Sequence, residues 1–235
     1  MHSILKIKLI AIIFLFSATC NASQIKLPTD NKLISFLNEL FDNNAEFTKT
    51  HDTKYFDKFR NSQAPHLTII KCSDSRVNLD AFDSTPNNGV FSIRNIGNQI
   101  VTSEGSVDYG IRVLKTPYLM VVGHAGCGAI EAAHKGKKTK IAGIDKELST
   151  IKLNNDTTIN DAILDNVHAQ IEVAKHRYKS LVDSGELTIL GAIYDFKNDF
   201  GLGDGKVILV NVNGIKDKEI IRQTYSTKVK TLQAM

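Results

Sequence analysis

Residues 118–128 read Tyr-Leu-Met-Val-Val-Gly-His-Ala-Gly-Cys-Gly, and this stretch decides the fold class of the chain. Its first five residues form an unbroken apolar run, which is typical of a strand covered on both faces. The run ends at Gly123 and His124, and a helix is expected to begin near Cys127. A doubly covered strand followed directly by a helix is the repeating unit of α/β proteins with parallel sheets.

The segments on either side of this stretch repeat the alternation of strand and helix. Leu67 to Ile70 form a strand-like run that leads directly to Cys72, and a Gly- and Asp-rich loop from 195 to 205 indicates a hairpin. The chain is therefore predicted as α/β, with a mostly parallel sheet, an antiparallel edge strand and flanking helices. The further predicted strands lie at 90–93, 187–194 and 206–212, and the predicted helices at 30–48, 103–115, 127–135 and 158–183.

Composition excludes several classes of protein. The 235 residues are 42% hydrophobic and 23% charged, which excludes a disordered or collagen-like chain and leaves room for one sizeable core. The net charge is +4, from 29 Lys and Arg against 25 Asp and Glu, and no dense basic block is present. Nothing therefore requires a nucleic-acid partner, and a small-molecule substrate stays open.

The first residues have the pattern of an export signal. A short basic start precedes an apolar run from Leu9 to Phe16, and small residues follow at 17–22. We expect cleavage after about Ala22, which leaves a single domain over 23–235 in the periplasm or secreted, with no membrane attachment. The alternatives are a retained anchor and a lipoprotein acylated at Cys20.

Two short motifs carry the candidate chemistry. Cys72-Ser-Asp-Ser-Arg76 and His124-Ala-Gly-Cys127-Gly128 each follow a predicted strand, and open α/β sheets bind their ligands at the carboxyl ends of their strands. Two thiolates and one imidazole form a ligand set that selects Zn²⁺ over hard cations. Three protein ligands with one exchangeable position are typical of catalytic zinc, whereas four fixed ligands are typical of structural zinc.

Two alternatives remain open at this site. Asp74 could bind the metal as a fourth ligand, or Arg76 could hold it away from the metal by a bidentate ion pair. In an exported protein, Cys72 and Cys127 could also form a disulfide in place of a metal site.

The two motifs together resemble those of the β-class carbonic anhydrases, and the resemblance extends from about Asp30 to Gly214. It implies one Zn²⁺ per subunit with the ligands Cys72, His124 and Cys127. Asp74 is then either a fourth ligand in a closed state or the partner of Arg76 in a working site. Further agreement lies at 93–98, 105–109, where Gly-Ser-Val-Asp-Tyr replaces the commoner Gly-Ser-Leu-Glu-Tyr, and 191–195.

The resemblance also implies the reaction, the reversible hydration of carbon dioxide to bicarbonate and a proton. Asp74 and Arg76 are the implied catalytic residues, which orient a zinc-bound hydroxide toward the carbon of CO₂. Phe91 and Ile96 line the substrate pocket by resemblance, and Gln63 matches a glutamine that contacts substrate across a dimer interface in plant-like members. The backbone N–H of Gly128, near a helix start, could also bind a bicarbonate oxygen or the neighbouring thiolate.

The expected assembly is a homodimer or homotetramer in which the N-terminal helices, over 30–60, pack on a partner subunit. The basic tail from about Lys216 is expected to be solvated or part of an interface.

Two other functions are compatible with the same residues, since a fold does not determine a substrate. One is zinc-dependent hydrolysis of carbonyl sulfide or carbon disulfide, and the other is a catalytically silent zinc-binding or sensing protein with Asp74 on the metal.

Overall fold

The computed structural model describes residues 27–153 and 156–234. The predicted export signal, residues 1–22, lies outside these residues. Within the described part of the chain, no helix combines the length and the apolar character that crossing a bilayer requires. The chain divides into an N-terminal unit that ends at Lys58 and a larger unit that begins at Phe59.

The N-terminal unit contains helices α1 (Asn31–Thr50) and α2 (Thr53–Asp57). The predicted cap of α1 is confirmed, because Asp30 Oδ1 accepts a hydrogen bond from the backbone N–H of Leu33 at 3.0 Å. Neither helix has a buried residue. Instead, Phe47 stacks on His51 with ring centroids 4.0 Å apart, so the end of α1 forms its own small aromatic cluster.

The larger unit is built on a five-stranded sheet with the order β2-β1-β3-β4-β5. The pairs β1/β2, β1/β3 and β3/β4 are parallel, and β4/β5 is antiparallel. The predicted mostly parallel sheet with an antiparallel edge strand is therefore confirmed. The strands are β1 (Leu67–Cys72), β2 (Val90–Asn95), β3 (Tyr118–His124), β4 (Thr188–Asp195) and β5 (Lys206–Val212).

Helices flank this sheet, as predicted, but their bounds differ from the sequence pattern in several places. The segment predicted as one helix over 103–115 is α-helical only in its first turn and continues as a π-helix over Tyr109–Val113. The helices of the larger unit are α3 (Glu104–Asp108), α4 (Gly128–His134), α5 (Ala142–Thr150), α6 (Ile159–Arg177), α7 (Lys179–Asp183) and α8 (Lys218–Tyr225). Helices α5 and α8 were not predicted, because each buries a single residue and so lacks a continuous apolar stripe.

The prediction of one continuous helix over 158–183 is wrong. The helix ends at Arg177, because Tyr178 leaves helical geometry with φ −115° and ψ 24°. The buried Tyr178 hydroxyl donates a hydrogen bond of 2.8 Å to Asp108 Oδ1, and this contact holds the side chain at the break. The chain then resumes as the short helix α7.

Helix α6 lies close against the two strands that lead to the ligand edge of the sheet. A Cβ atom at Gly123 would lie 2.7 Å from Val167 Cγ2, and one at Gly191 would lie 2.9 Å from Val167 Cγ1. No side chain fits at such distances, so glycine at both positions lets the helix approach the sheet. Ile163, Val167 and Ile171 are buried in the main core between them.

The basic tail does not simply extend into solvent. After α8, the carbonyl of Gln233 accepts a hydrogen bond of 2.8 Å from the N–H of Leu209, and Ala234 forms an isolated bridge with the same residue. The end of the described chain thus covers part of the free edge of β5, where unpaired backbone groups would otherwise be exposed.

Candidate metal centre

The two motifs meet because β1 and β3 are parallel neighbours. Lys71 pairs with Val122, so the strands end at the same edge of the sheet, β1 at Cys72 and β3 at His124. Cys127 follows after a tight turn in which Gly126 has φ +63°, a conformation that glycine adopts without strain. The two motifs therefore lie at the carboxyl ends of two parallel strands, where open α/β sheets bind their ligands.

Cys72, His124 and Cys127 form a compact cluster of ligand atoms. One atom from each side chain lies within 4.8 Å of the other two, and all three residues are buried. Both cysteines are free thiols, so the disulfide considered for the sequence is absent from this structure. Two sulfurs and one ring nitrogen at this spacing match the donor chemistry that favours zinc.

The orientation of the His124 ring supports a metal site. Its Nδ1–H donates to the carbonyl of Ala125 at 3.0 Å, which leaves Nε2 as the unprotonated nitrogen of the neutral ring. Nε2 is buried and makes no hydrogen bond within the described residues. A buried acceptor without a donor is costly, and a metal ion held with the two sulfurs would satisfy it. The residues present therefore fit zinc.

A hydrogen bond joins the two cysteines. The hydrogen bond from the Cys127 thiol lowers the pKa of Cys72, and backbone N–H groups of Gly97 and Asp74 stabilise the same thiolate. That hydrogen bond and burial raise the pKa of Cys127. Thiolate is the form of cysteine that binds metals, so the surroundings of Cys72 already favour it.

Asp74 is held by Arg76 and is not among the residues whose ligand atoms form the cluster. Arg76 Nε donates to Asp74 Oδ1 at 2.9 Å, and Arg76 Nη2 donates to Oδ2 at 2.6 Å. Asp74 Oδ2 lies 4.0 Å from His124 Nε2. The hydrogen bond from Arg76 lowers the pKa of Asp74 well below its ordinary range, so the carboxylate is ionised. Of the two arrangements considered for the sequence, the structure has the Arg76-paired one.

Hydrogen bonds from two basic side chains, Lys71 and Arg94, hold the backbone of the loop that carries this pair. The ammonium of the buried Lys71 donates to the carbonyl of Val77, and the N–H of Val77 donates to the carbonyl of Asp74 at 3.0 Å. Burial, followed by repulsion from Arg94, lowers the pKa of Lys71 to about 8. Arg94 Nη2 also donates to the carbonyl of Asp74 at 2.7 Å, so the Asp74 backbone is held from two sides.

Phe196 also belongs to this site, and the sequence motifs did not identify it. Its ring lies below the Arg76 guanidinium, with Cζ 4.7 Å from the ring centroid, and is stacked near His124 at 6.0 Å between ring centroids. The available sequence signal was its position: Phe196 directly follows β4, which ends at the same edge of the sheet as β3.

The predicted substrate residues are not all brought to the cluster. Phe91 pairs with Thr68, four residues before Cys72 along the neighbouring strand, which corresponds to about 13 Å. Its ring packs near that of Tyr109 at 5.7 Å. Ile96 is half-buried against the main core, and Gln63 lies in the exposed segment before β1.

Gly128 begins helix α4 beside the cluster. It is exposed, and a Cβ atom there would meet nothing within 4 Å. The backbone N–H groups that stabilise the Cys127 sulfur belong to Ala129 and Ile130. The suggested contact of the Gly128 N–H with a product oxygen stays a prediction.

Comparison with known proteins agrees with this site. The family model described as carbonic anhydrase matches residues 67–203, which is more than half of the chain. This chain belongs to the carbonic anhydrase family. The matched region contains all three candidate ligands, together with Asp74, Arg76 and Phe196.

Curated relatives share the family, and solved structures share the fold. A carbonic anhydrase from Candida albicans is 33% identical over 136 residues, which are 54% of this chain and 46% of that protein. The chain spans about half the length of such curated relatives. The β-carbonic anhydrase CcaA superposes with a TM-score of 0.64 and 20% identity over 77% of this chain and 89% of its own.

A second solved structure supports the same fold. A β-carbonic anhydrase of Sordaria macrospora, described as tetrameric, superposes with a TM-score of 0.62 and 22% identity over 76% of this chain and 98% of its own. At such identities the likeness shows the fold, and the fold is that of the β-carbonic anhydrases.

Proposed function

We propose that this chain is a zinc-dependent carbonic anhydrase that reversibly hydrates carbon dioxide to bicarbonate and a proton. The observation that carries the proposal is the buried cluster of Cys72, His124 and Cys127, in which His124 Nε2 has no hydrogen-bond partner among the residues that the structure describes. Family membership and fold support the same reaction.

The three cluster residues would hold the zinc ion, and three protein ligands are the number typical of a catalytic site. When bound, zinc can bring the pKa of water to about 7, which supplies hydroxide near neutral pH. The backbone around the cluster contributes donors to both sulfurs and fixes the tautomer of His124. These contacts keep the ligand atoms oriented before any metal binds.

Asp74 would orient the nucleophile. The two hydrogen bonds from Arg76 hold its carboxylate beside the cluster in the ionised form. A fixed, ionised carboxylate can accept a hydrogen bond from the attacking oxygen and aim its lone pair at the carbon of CO₂. To bind the metal through Oδ2, Asp74 would have to give up the hydrogen bond from Arg76 Nη2, which supports an active site over a silent one.

The test is stopped-flow CO₂ hydration at alkaline pH on the zinc-loaded protein. We expect one zinc per chain by elemental analysis and hydration well above the buffer rate. Asp74→Asn and Arg76→Ala are each expected to lower kcat by about 10²-fold or more, because a misoriented nucleophile loses the advantage of positioning. Both variants should retain zinc, since neither residue is among the three ligands.

Glu131→Gln is the matched control, because it neutralises a carboxylate that pairs with Lys135 on the exposed face of α4. It should hydrate CO₂ at the rate of the unmodified protein. Absence of acceleration over buffer, or full activity in Asp74→Asn, would contradict the proposal. Hydrolysis of carbonyl sulfide or carbon disulfide without CO₂ hydration would instead identify the rival activity.

We further propose that the chain works as a homo-oligomer. Phe91 lies too far along its strand to reach the cluster of its own chain, and its neighbour Tyr109 is 44% exposed. A residue placed in this way can line a substrate pocket only in a second copy. The exposed apolar side chains of α1 provide a surface that such a copy would cover.

The export signal stays a proposal as well. The pattern at residues 1–22 predicts that the mature chain begins at about Ser23 and is periplasmic or secreted. Intact-mass measurement of protein recovered from the periplasm or medium tests this. A mass that includes residues 1–22, or one that carries an acyl chain on Cys20, would contradict cleavage to a soluble form.

A further inference from the structure

The two side chains of the Asp74–Arg76 ion pair differ in their exposure to solvent. The Arg76 side chain is 52% exposed, whereas that of Asp74 is 18% exposed. Exposed ion pairs are weak, because water competes for both partners and the long arginine side chain loses freedom when it is held. A pair that must keep a carboxylate in one orientation therefore needs a second contact on the guanidinium.

Phe196 provides that contact. Its ring faces the guanidinium at 4.7 Å from Arg76 Cζ, within the distance at which a cation is attracted to an aromatic face. On another side, Arg76 Nη2 approaches the carbonyl of Gly126 at 3.4 Å. The planar guanidinium is thus bounded by a carboxylate, an aromatic ring and a backbone oxygen.

The Phe196 ring is itself held in place. It stacks near His124 at 6.0 Å and lies near the ring of Tyr194 at 5.7 Å. Directly before it, the buried Asp195 carboxylate accepts hydrogen bonds from the backbone N–H groups of Asp199 at 2.9 Å and Phe200 at 2.8 Å. This loop closure fixes the backbone at Phe196 relative to the end of β4.

We infer that Phe196 is a positioning residue that holds the Arg76 guanidinium in place. It thereby keeps Asp74 paired with Arg76 beside the three candidate metal ligands. Its effect on catalysis rests on the proposed function, but its effect on Arg76 does not. The Phe196 ring lies against both Arg76 and the ligand His124, so zinc content is measured beside activity to separate a loss of Arg76 geometry from a loss of the metal site.

The first test observes Arg76 directly by NMR of the ¹⁵N-labelled, zinc-loaded protein. The Arg76 Nε–H signal is assigned by its loss in Arg76→Lys. In the unmodified protein the ring of Phe196 should shift this proton upfield, and the hydrogen bond to Asp74 should slow its exchange with water. In Phe196→Leu, the upfield shift should disappear and exchange should become at least several-fold faster. Phe196→Tyr keeps an aromatic face and should restore both properties.

Phe200→Leu is the matched control. It also removes a ring from the loop after β4, but the Phe200 ring packs against the main core. This variant should leave the Arg76 signal unchanged. If Phe196→Leu leaves the shift and the exchange rate as they were, or if Phe200→Leu changes them equally, the inference is overturned.

The second test measures CO₂ hydration and zinc content of the same variants. We expect kcat of Phe196→Leu to fall about two- to fivefold, in keeping with the loss of one cation–π contact at an exposed arginine, with zinc content unchanged and with recovery in Phe196→Tyr. Unchanged kcat in Phe196→Leu would overturn the positioning role. If the unmodified protein hydrates no CO₂, the proposed function fails, and the NMR test still decides whether Phe196 holds Arg76.

Discussion

His124 illustrates how a single side chain is prepared for a metal by its backbone surroundings. The carbonyl of Ala125 takes the Nδ1 proton, so the nitrogen left as an acceptor is the buried Nε2. A histidine in a sequence carries no sign of its tautomer, and only its place between two cysteines distinguished His124 from the other histidines.

His168 is a second histidine whose surroundings decide its chemistry. It is half-buried on α6, and Asn211 Nδ2 lies 3.1 Å from its Nδ1. Burial, and then the positive charge of Lys216, lowers the pKa of His168 to about 4, although Asp165 and Glu172 oppose the shift. A lowered folded-state pKa means that the unfolded chain binds a proton first as the pH falls.

We therefore predict that the free energy of unfolding falls between about pH 6.5 and pH 4 by up to about 3 kcal/mol on account of His168. Urea denaturation of His168→Gln across this range should show a flatter dependence than the unmodified protein. Acid also weakens metal binding, but equally in both proteins, so the difference isolates His168. His176→Gln, at an exposed position of α6, should keep the full slope, and an equal slope in His168→Gln would contradict the prediction.

Among the elements, the junction between α3 and the end of α6 depends on one carboxylate. Asp108, at the end of α3, accepts hydrogen bonds from Arg177 Nε at 3.0 Å and from the Tyr178 hydroxyl at 2.8 Å. These contacts cross from α3 to the point where the long helix breaks. They explain why the break falls at Tyr178 even though neither glycine nor proline lies there.

Asp108→Ala is predicted to lower the free energy of unfolding by about 2 kcal/mol, because it leaves the buried Tyr178 hydroxyl without its acceptor and leaves Arg177 with Glu104 alone as carboxylate partner. Asp183→Ala removes an exposed carboxylate that pairs with Lys179 and should cost less than about 0.5 kcal/mol.

The hydrogen bonds from Arg177 hold the pKa of Asp108 below its ordinary range. Its contribution is therefore present at neutral pH and is lost on acidification, so denaturation at pH 7 and near pH 3 should show a smaller difference at the lower pH.

At the scale of the whole molecule, helix α1 presents an exposed apolar side. Its exposed apolar residues include Phe41 at 66% exposure, and no residue of the helix is buried. Apolar side chains gathered on one exposed stripe are typical of an interface. The proposed second copy would cover this stripe.

Phe41→Glu is predicted to dissociate the homo-oligomer, because a charge placed in an apolar interface loses its hydration without gaining a partner. Size-exclusion chromatography with light scattering should show a dimer or tetramer for the unmodified protein and a lower mass for the variant. Ser35→Glu places the same charge on the polar side of the helix, one turn from Lys32 and Glu39, and should not change the mass. A monomer in the unmodified protein would contradict the proposal.

Much of this molecule was accessible from the sequence by itself. Apolar runs and helical spacing predicted the order of strands and helices, and the two motifs at strand ends predicted which side chains form the cluster. These predictions succeeded because periodicity and strand ends are local properties, and parallel pairing then brings neighbouring carboxyl ends together.

Other features were decided only by the tertiary structure. The sequence allowed Asp74 to bind either the metal or Arg76, and the choice depends on where the folded chain places the guanidinium and the Phe196 ring. The break at Tyr178 and the return of the tail to β5 likewise depend on contacts between residues far apart in the chain. Such contacts leave no periodic pattern in the sequence, because their geometry exists only once the elements have packed.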